Sequence, residues 1–184
     1  MAQQANVALA PGFSFEGYRI ERQLSVGGFS IVYLATDSAG RQVAIKEYLP
    51  ASLALRGEGE TRPKVSAEHL PAFRYGMKCF FEEGRALARL SHPNVVRVLN
   101  FFRANDTVYM VMDYEDGRTL QDVIHKHRGK LTERFIRGVF VRLLNGLREV
   151  HAHKLLHLDL KPSNIYLRAD NTPVLIDFGA ARQT

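Results

Sequence analysis

His157–Asn164 reads HLDLKPSN, and Ile176–Gly179 answers it with IDFG. The first phrase is polar and holds a proline, and it lies between a helical apolar pattern and a short β-branched run. Burying it as a core loop would strand its backbone polar groups. It reads as a site. Asp159, Lys161, Asn164 and Asp177 bring carboxylates, an amide and an ammonium together within one short hairpin. A carboxylate can accept a hydroxyl proton, and an ammonium can steady a transferring phosphoryl group. A carboxylate with an amide oxygen supplies the hard oxygen donors that Mg²⁺ prefers. Any one of these residues alone reads better as a solvated turn, since most exposed polar residues do nothing. The case rests on the set and on whether the rest of the chain carries matching parts.

Working outward, the 184 residues suffice for one domain or two small lobes, and 46% hydrophobic content with no biased tract supplies a core. The net charge of +6 permits an anionic partner. Lys and Arg are scattered among acids instead of massed in a block, which argues against nucleic acid as the partner. Phe101-Phe102 with Arg97 and Arg103 reads as alternating strand residues in preference to a stacking patch for RNA. Cys79 is the single cysteine, so the chain forms no internal disulfide and fits a reducing compartment. No run approaches the roughly 20 apolar residues of a membrane span, and MAQQANVALAPG lacks the basic end and apolar segment of a secretion signal. The chain reads as soluble and cytoplasmic.

In chain order, residues 1–12 read as a flexible tail. Tyr18–Val26 and Phe29–Thr36 flank Gly27-Gly28 as a hairpin, and Arg41–Tyr48 is a further strand carrying VAIK. Lys46 there follows three apolar residues, where a charge is costly to bury unless paired. Glu47–Leu70 reads as a linker with at most a turn of helix near Ala51–Leu55. Pro71–Leu90 is helical, with Phe73, Met77, Phe80, Phe81, Leu87 and Leu90 at helical spacing and Glu83 among them. Gly84 marks a looser point. SHPN closes the helix, and two strands follow, Val95–Ala104 and Thr107–Asp113, across the Asn105-Asp106 turn. Leu120, Val123 and Ile124 mark a short helix. Thr132-Glu133 opens a longer one to about His153, with an apolar stripe through Val139, Leu143 and Leu147. A strand-rich half precedes a helix-rich half, the order of a two-lobed α+β architecture.

This ordered set, a glycine-bearing hairpin, VAIK, a helix with an acid, SHPN, a hinge, HxDLKPxN and DFG, resembles the protein kinase superfamily, specifically its serine/threonine branch as found in bacteria. The motif set is the established template of that family. The resemblance runs from about Tyr18 to Thr184. It implies an N-lobe over residues 13–113, an antiparallel sheet plus one long helix with an insert at about 50–70. It implies a partial helical C-lobe over 114–184, holding hinge, two helices, catalytic loop and DFG. It also implies ATP and Mg²⁺ as cofactors, a protein as substrate, and a nucleotide held in the cleft between the halves. Lys46 would hold phosphates and pair with Glu83, Asp159 would accept the substrate's hydroxyl proton, and Lys161 would contact the γ-phosphate. Asn164 and Asp177 would hold the metal. Val26, Gly27 and Gly28 would cover the phosphates, and Val32, Ala44 and Tyr166 would enclose the adenine. Met112 resembles the gatekeeper, and the main chain of Asp113 and Glu115 would bond the adenine edge.

Departures from the pattern are equally specific. Ser25 and Ser30 stand where the phosphate loop has glycines, which restricts the backbone there. Leu158 replaces the arginine of HRD, so no cation awaits a phosphorylated activation loop, and activity is expected to be independent of that switch. The insert after KEYLP has no assigned role. The chain stops at Thr184, just after DFGAARQT, so the resemblance is to a kinase truncated after DFG, lacking the APE motif and the large later helices. The long helix, read as exposing Val139, Leu143, Leu147 or their neighbours, is then expected to self-associate through residues 132–153. Two functional classes follow: a Ser/Thr protein kinase region, or a kinase-like nucleotide-binding or scaffolding module without catalysis. A small-molecule phosphotransferase is disfavoured by LKPSN after the aspartate. His151, His153 and His157 lack a completing ligand set for a metal of their own.

Overall fold

The computed structural model describes residues 6–178 and the backbone of Arg182–Gln183. It divides into two compact units, Met1–Arg85 with Val98–Tyr114, and Ala86–Arg97 with Glu115–Thr184. Residues 86–97, read from the sequence as part of the N-terminal half, cluster with the second unit.

The first unit is built on strands β1 (Ser14–Phe15), β2 (Tyr18–Val26), β3 (Ser30–Asp37), β4 (Gln42–Tyr48), β5 (Val98–Ala104) and β6 (Thr107–Asp113), with helix α1 (Leu70–Leu87). The strands form one sheet in the order β1-β2-β3-β4-β6-β5, antiparallel throughout. Asn105 and Asp106 turn the β5–β6 hairpin at φ 50° and 59°, the positive-φ pair that suits a two-residue loop. Registers Val32↔Lys46, Lys46↔Met110 and Ala44↔Met112 put these side chains on one face of the sheet. Registers Ile31↔Glu47 and Glu47↔Tyr109 define the other.

Helix α1 covers the first face, with Phe81 edge-on to Phe101 at 4.6 Å and Tyr48 packed on Phe73 and Phe80. Gly84, expected as a loose point, lies where helix meets sheet: a Cβ there would stand 3.2 Å from Met110 Cε. The helix ends at Leu87, short of the expected Leu90, because Arg89 and Leu90 close on Ala86 and Leu87 in tighter i→i+3 bonds.

The second face is covered by segments read as tail and linker. Asn6 and Leu9 are buried, and Val7 N–H donates to Arg56 O at 3.1 Å, so the expected flexible tail is pinned from Asn6 onward. Arg56, Ala54 and Leu49 are buried with it. The linker reading missed this because a buried arginine carries no periodic signal.

The second unit holds β7 (Arg118–Thr119), α2 (Leu120–Lys126), α3 (Glu133–Ala152), β8 (Leu155–Leu156), a 3-10 turn (Pro162–Asn164), β9 (Ile165–Leu167), β10 (Pro173–Leu175) and β11 (Arg182–Gln183). Strands pair as β10-β9-β7 and as β11-β8. Thr119 caps α2 in a reciprocal box with Asp122, and Thr132 caps α3 by accepting from Phe135 N–H. SHPN joins this unit: Val95 bridges to Leu175 and Asn94 Nδ2 donates to Pro173 O at 2.7 Å, so strand β5 begins at Val98, not at the expected Val95. The expected exposed stripe of α3 is also corrected. Val139 and Leu143 are buried, Leu147 is half-buried, and the exposed apolar residues are Ile136, Phe140, Val141 and Leu144.

Candidate active site

Within the second unit, the loop between β8 and β9 and the residues after β10 carry the polar set. The pairing Leu175↔Ile165 and the bond from Ile176 N–H to Asn164 O at 3.0 Å hold these two stretches side by side. His157 fixes the loop from inside. It is buried, its ring lies 4.5 Å from that of Phe178, and Nε2 meets Ile176 O at 3.1 Å. Its Nδ1 accepts Asp159 N–H at 3.3 Å, so Nε2 carries the hydrogen. The sequence reading puts His157 at the head of the HLDLKPSN stretch and sets it aside as a metal ligand, without giving it this anchoring role. Its signal was the histidine two residues before the aspartate in a loop that needs an internal anchor.

Leu158 and Asp177 sit at φ 60° and 56°, a region leucine enters only at a cost of about 1–3 kcal/mol and that clusters at working sites. The Leu158 side chain is 61% exposed at the position where HRD would place a cation.

Asp159 Oδ2 receives Lys161 Nζ at 2.8 Å and Asn164 Nδ2 at 2.9 Å, and Asn164 Nδ2 also reaches Asp159 O at 2.9 Å. Pro162–Asn164 form the 3-10 turn that brings Asn164 back, closed by Asn164 N–H on Lys161 O at 2.9 Å. The Lys161 hydrogen bond holds the Asp159 carboxyl below the usual range, against the pull of Asp177's charge in the other direction. Asp159 in turn raises Lys161. The Asn164 amide spends its nitrogen on Asp159, so Oδ1 is the end turned to other partners.

Around this loop, Arg168 grips Glu115 with two bonds, at 2.9 and 2.7 Å, and donates to Pro93 O at 2.8 Å. This fork ties the segment after β6 and the SHPN turn to β9. Sequence reading missed it, since Glu115 is read there only for its main chain and Arg168 lies in no motif. Tyr166 is half-buried on β9, opposite Thr119 and Val174.

The first unit carries the remaining expected residues. Lys46 is 6% exposed, and its Nζ lies 5.8 Å from the centre of the Phe80 ring. Glu83 follows Phe80 by one turn of α1, with its Oε1 sealed from water. Val32, Ala44 and Met112 share the sheet face of Lys46, Ala44 buried and the other two half-buried. Asp113 ends β6 opposite Val43. Val26, Gly27 and Gly28 are exposed in the β2–β3 turn, which Gly27 N–H closes on Ser30 O at 2.8 Å, and a Cβ at Gly28 would meet nothing within 4 Å. The backbone at Gly28 is open to close approach.

The family described as the protein kinase domain matches residues 18–184. The chain is 32% identical over 173 residues to the serine/threonine-protein kinase PknA of Nostoc sp., covering 91% of this chain and 28% of that protein. It is 30% identical over 169 residues to cell division control protein 2 homolog 3 of Trypanosoma brucei brucei, covering 91% of this chain and 48% of that one. The chain thus spans less than half the length of either relative. Among solved structures, the apo form of PpkA-294 superposes with a TM-score of 0.87 at 35% identity, covering 94% of this chain and 62% of that chain.

Proposed function

The chain belongs to the protein kinase family, and from that premise we propose that it is the ATP-binding and phosphoryl-transferring region of a serine/threonine protein kinase. The observation that carries this reading is the Asp159 carboxylate held jointly by Lys161 and Asn164. A carboxylate kept ionised and aimed by two donors suits acceptance of a hydroxyl proton. Lys161 is then placed to follow the transferring γ-phosphoryl group. In the first unit, Lys46 holds the α- and β-phosphates and Glu83 orients it. Val26, Gly27 and Gly28 cover the phosphates. Val32, Ala44 and Met112, on the sheet face of Lys46, take the adenine, and the main chain of Asp113 bonds its edge.

Asn164 and Asp177 fit a divalent cation by their chemistry: an amide oxygen turned away from Asp159 and a carboxylate are the hard donors Mg²⁺ takes. Bound there, Mg²⁺ supplies charge neutralisation to the phosphates. The sequence LKPSN after Asp159 favours a protein hydroxyl over a small-molecule acceptor. No helix among the described residues is long and apolar enough to cross a membrane, and a cytoplasmic setting accords with the lone Cys79. The exposed Ile136, Phe140, Val141 and Leu144 support self-association through α3.

The test is incubation with γ-labelled ATP, Mg²⁺ and a generic protein substrate, followed by phosphoamino-acid analysis. Label on serine or threonine is expected. ATP-dependent thermal stabilisation without any transfer would instead indicate a nucleotide-binding module.

A further inference from the structure

Strand β4 does not stop working at Tyr48. The chain beyond it runs back along the β2–β3 turn, where Leu49 N–H donates to Phe29 O at 2.9 Å and Ala51 N–H donates to Gly28 O at 3.0 Å. Two successive carbonyls of the glycine-bearing loop are thereby tied to the segment that follows Lys46. In a trans peptide the carbonyl and the next N–H point in opposite directions. Fixing Gly28 O therefore turns the Phe29 N–H to the side away from Ala51, as a donor presented to an anion.

The tying segment is itself stiff. Leu53 and Ala54 both bond back to Pro50 O, at 3.0 and 2.9 Å, making one helical turn, and Leu55 bridges to Lys64. Its far end is Arg56, fully buried, with all its side-chain N–H groups engaged. Nη1 and Nη2 grip the Glu47 carboxylate at 2.5 and 2.7 Å, and the other bonds go to Val7 O, Thr61 O and Tyr33 Oη. Tyr33 and Tyr109 hydroxyls complete the shell of Glu47 at 2.6 and 2.7 Å. Glu47 adjoins Lys46 on the same strand, so one anchor serves both the lysine strand and the loop.

We propose that Leu49–Arg56 is a brace that fixes the Gly27–Phe29 loop for phosphate binding, with Ala51 and Arg56 as positioning residues. This gives the insert after KEYLP a role, and it accounts for a loop that works with Ser25 and Ser30 in place of two glycines. The proposal rests on the nucleotide reading above.

The test is Ala51→Pro in the intact chain. Proline fits the first position of the Pro50–Ala54 turn and removes only the bond to Gly28 O. ATP with Mg²⁺ and adenosine are titrated separately into wild type and variant. The expected result is a three- to tenfold weaker ATP affinity, about the worth of one net hydrogen bond, with adenosine affinity within twofold of wild type. Equal ATP affinities, or equal losses for both ligands, overturn the brace and leave the nucleotide site standing. A wild type that binds no ATP overturns that site and the brace with it. Hydrogen exchange on the unaltered chain covers a variant that fails to fold: ATP must slow the amides of Phe29 and Ala51 together, and slowing of Phe29 alone overturns the proposal.

Discussion

Asn164 donates one amide nitrogen to both the main-chain carbonyl and the carboxylate of Asp159, each at 2.9 Å. The bond locks the loop that carries the aspartate and fixes which end of the amide faces outward. Asn164→Ala is therefore expected to act twice. It should lower stability by about 1–3 kcal/mol, because Asn164 is buried and the Asp159 carbonyl loses its donor. It should also weaken Mg²⁺-dependent ATP binding at least tenfold. Denaturant melts and ATP titrations across Mg²⁺ concentrations check the two effects separately.

Lys161→Ala tests the electrostatics of the same carboxylate. Asp159 titrates below its ordinary value because of the Lys161 hydrogen bond first, aided by Asn164. A depressed folded value means the ionised loop is favoured above the ordinary aspartate range and is lost as pH falls through the lowered one. Without Lys161 the transition moves up in pH, helped by the Asp177 charge. Carboxyl NMR of Asp159 reads the shift directly, and an unmoved midpoint would contradict the pairing.

Arg56→Met is expected to cost about 3–5 kcal/mol, since it leaves the fully buried Glu47 carboxylate without its cation. Burial works against the Arg56 charge, but the hydrogen bond and charge of Glu47 outweigh it and hold the guanidinium protonated. Glu47 likewise adds to burial in raising the hydroxyls of Tyr33 and Tyr109. Urea unfolding at neutral pH measures the loss, which added salt should barely change because the pair is sealed from solvent.

The exposed row on α3 makes a separate forecast. Phe140 and Leu144 lie one turn apart and are 46% and 60% exposed. Sedimentation should show association that rises with concentration, and Phe140→Glu with Leu144→Glu should abolish it. A wild type that stays monomeric at high concentration would refute this.

What the sequence made legible was whatever has a period or a fixed punctuation. Thr107–Asp113 and Tyr18–Val26 came out with the bounds expected, because β-branched and aromatic runs met turns at Asn105-Asp106 and Gly27-Gly28. The onset of α3 was readable from Thr132-Glu133. Which face of α3 would be covered was not: Val139 and Leu143 share a broad apolar surface with Phe140 and Leu144, and only packing selects between them. The polar set at Asp159, Lys161 and Asn164 was visible because its members are close in sequence. The Arg56–Glu47 pair and the Arg168–Glu115 fork were invisible for the opposite reason: an isolated charge in a linker reads as solvated until its partner is seen.

The central claim, that Asp159 serves phosphoryl transfer and not merely a nucleotide-binding fold, is tested most directly by comparing wild type with Asp159→Asn in γ-label transfer at saturating ATP and Mg²⁺. The account predicts that the variant binds ATP as well as wild type does while transfer to serine or threonine falls at least a hundredfold. Transfer undiminished in the variant, or no transfer by either protein, would contradict it.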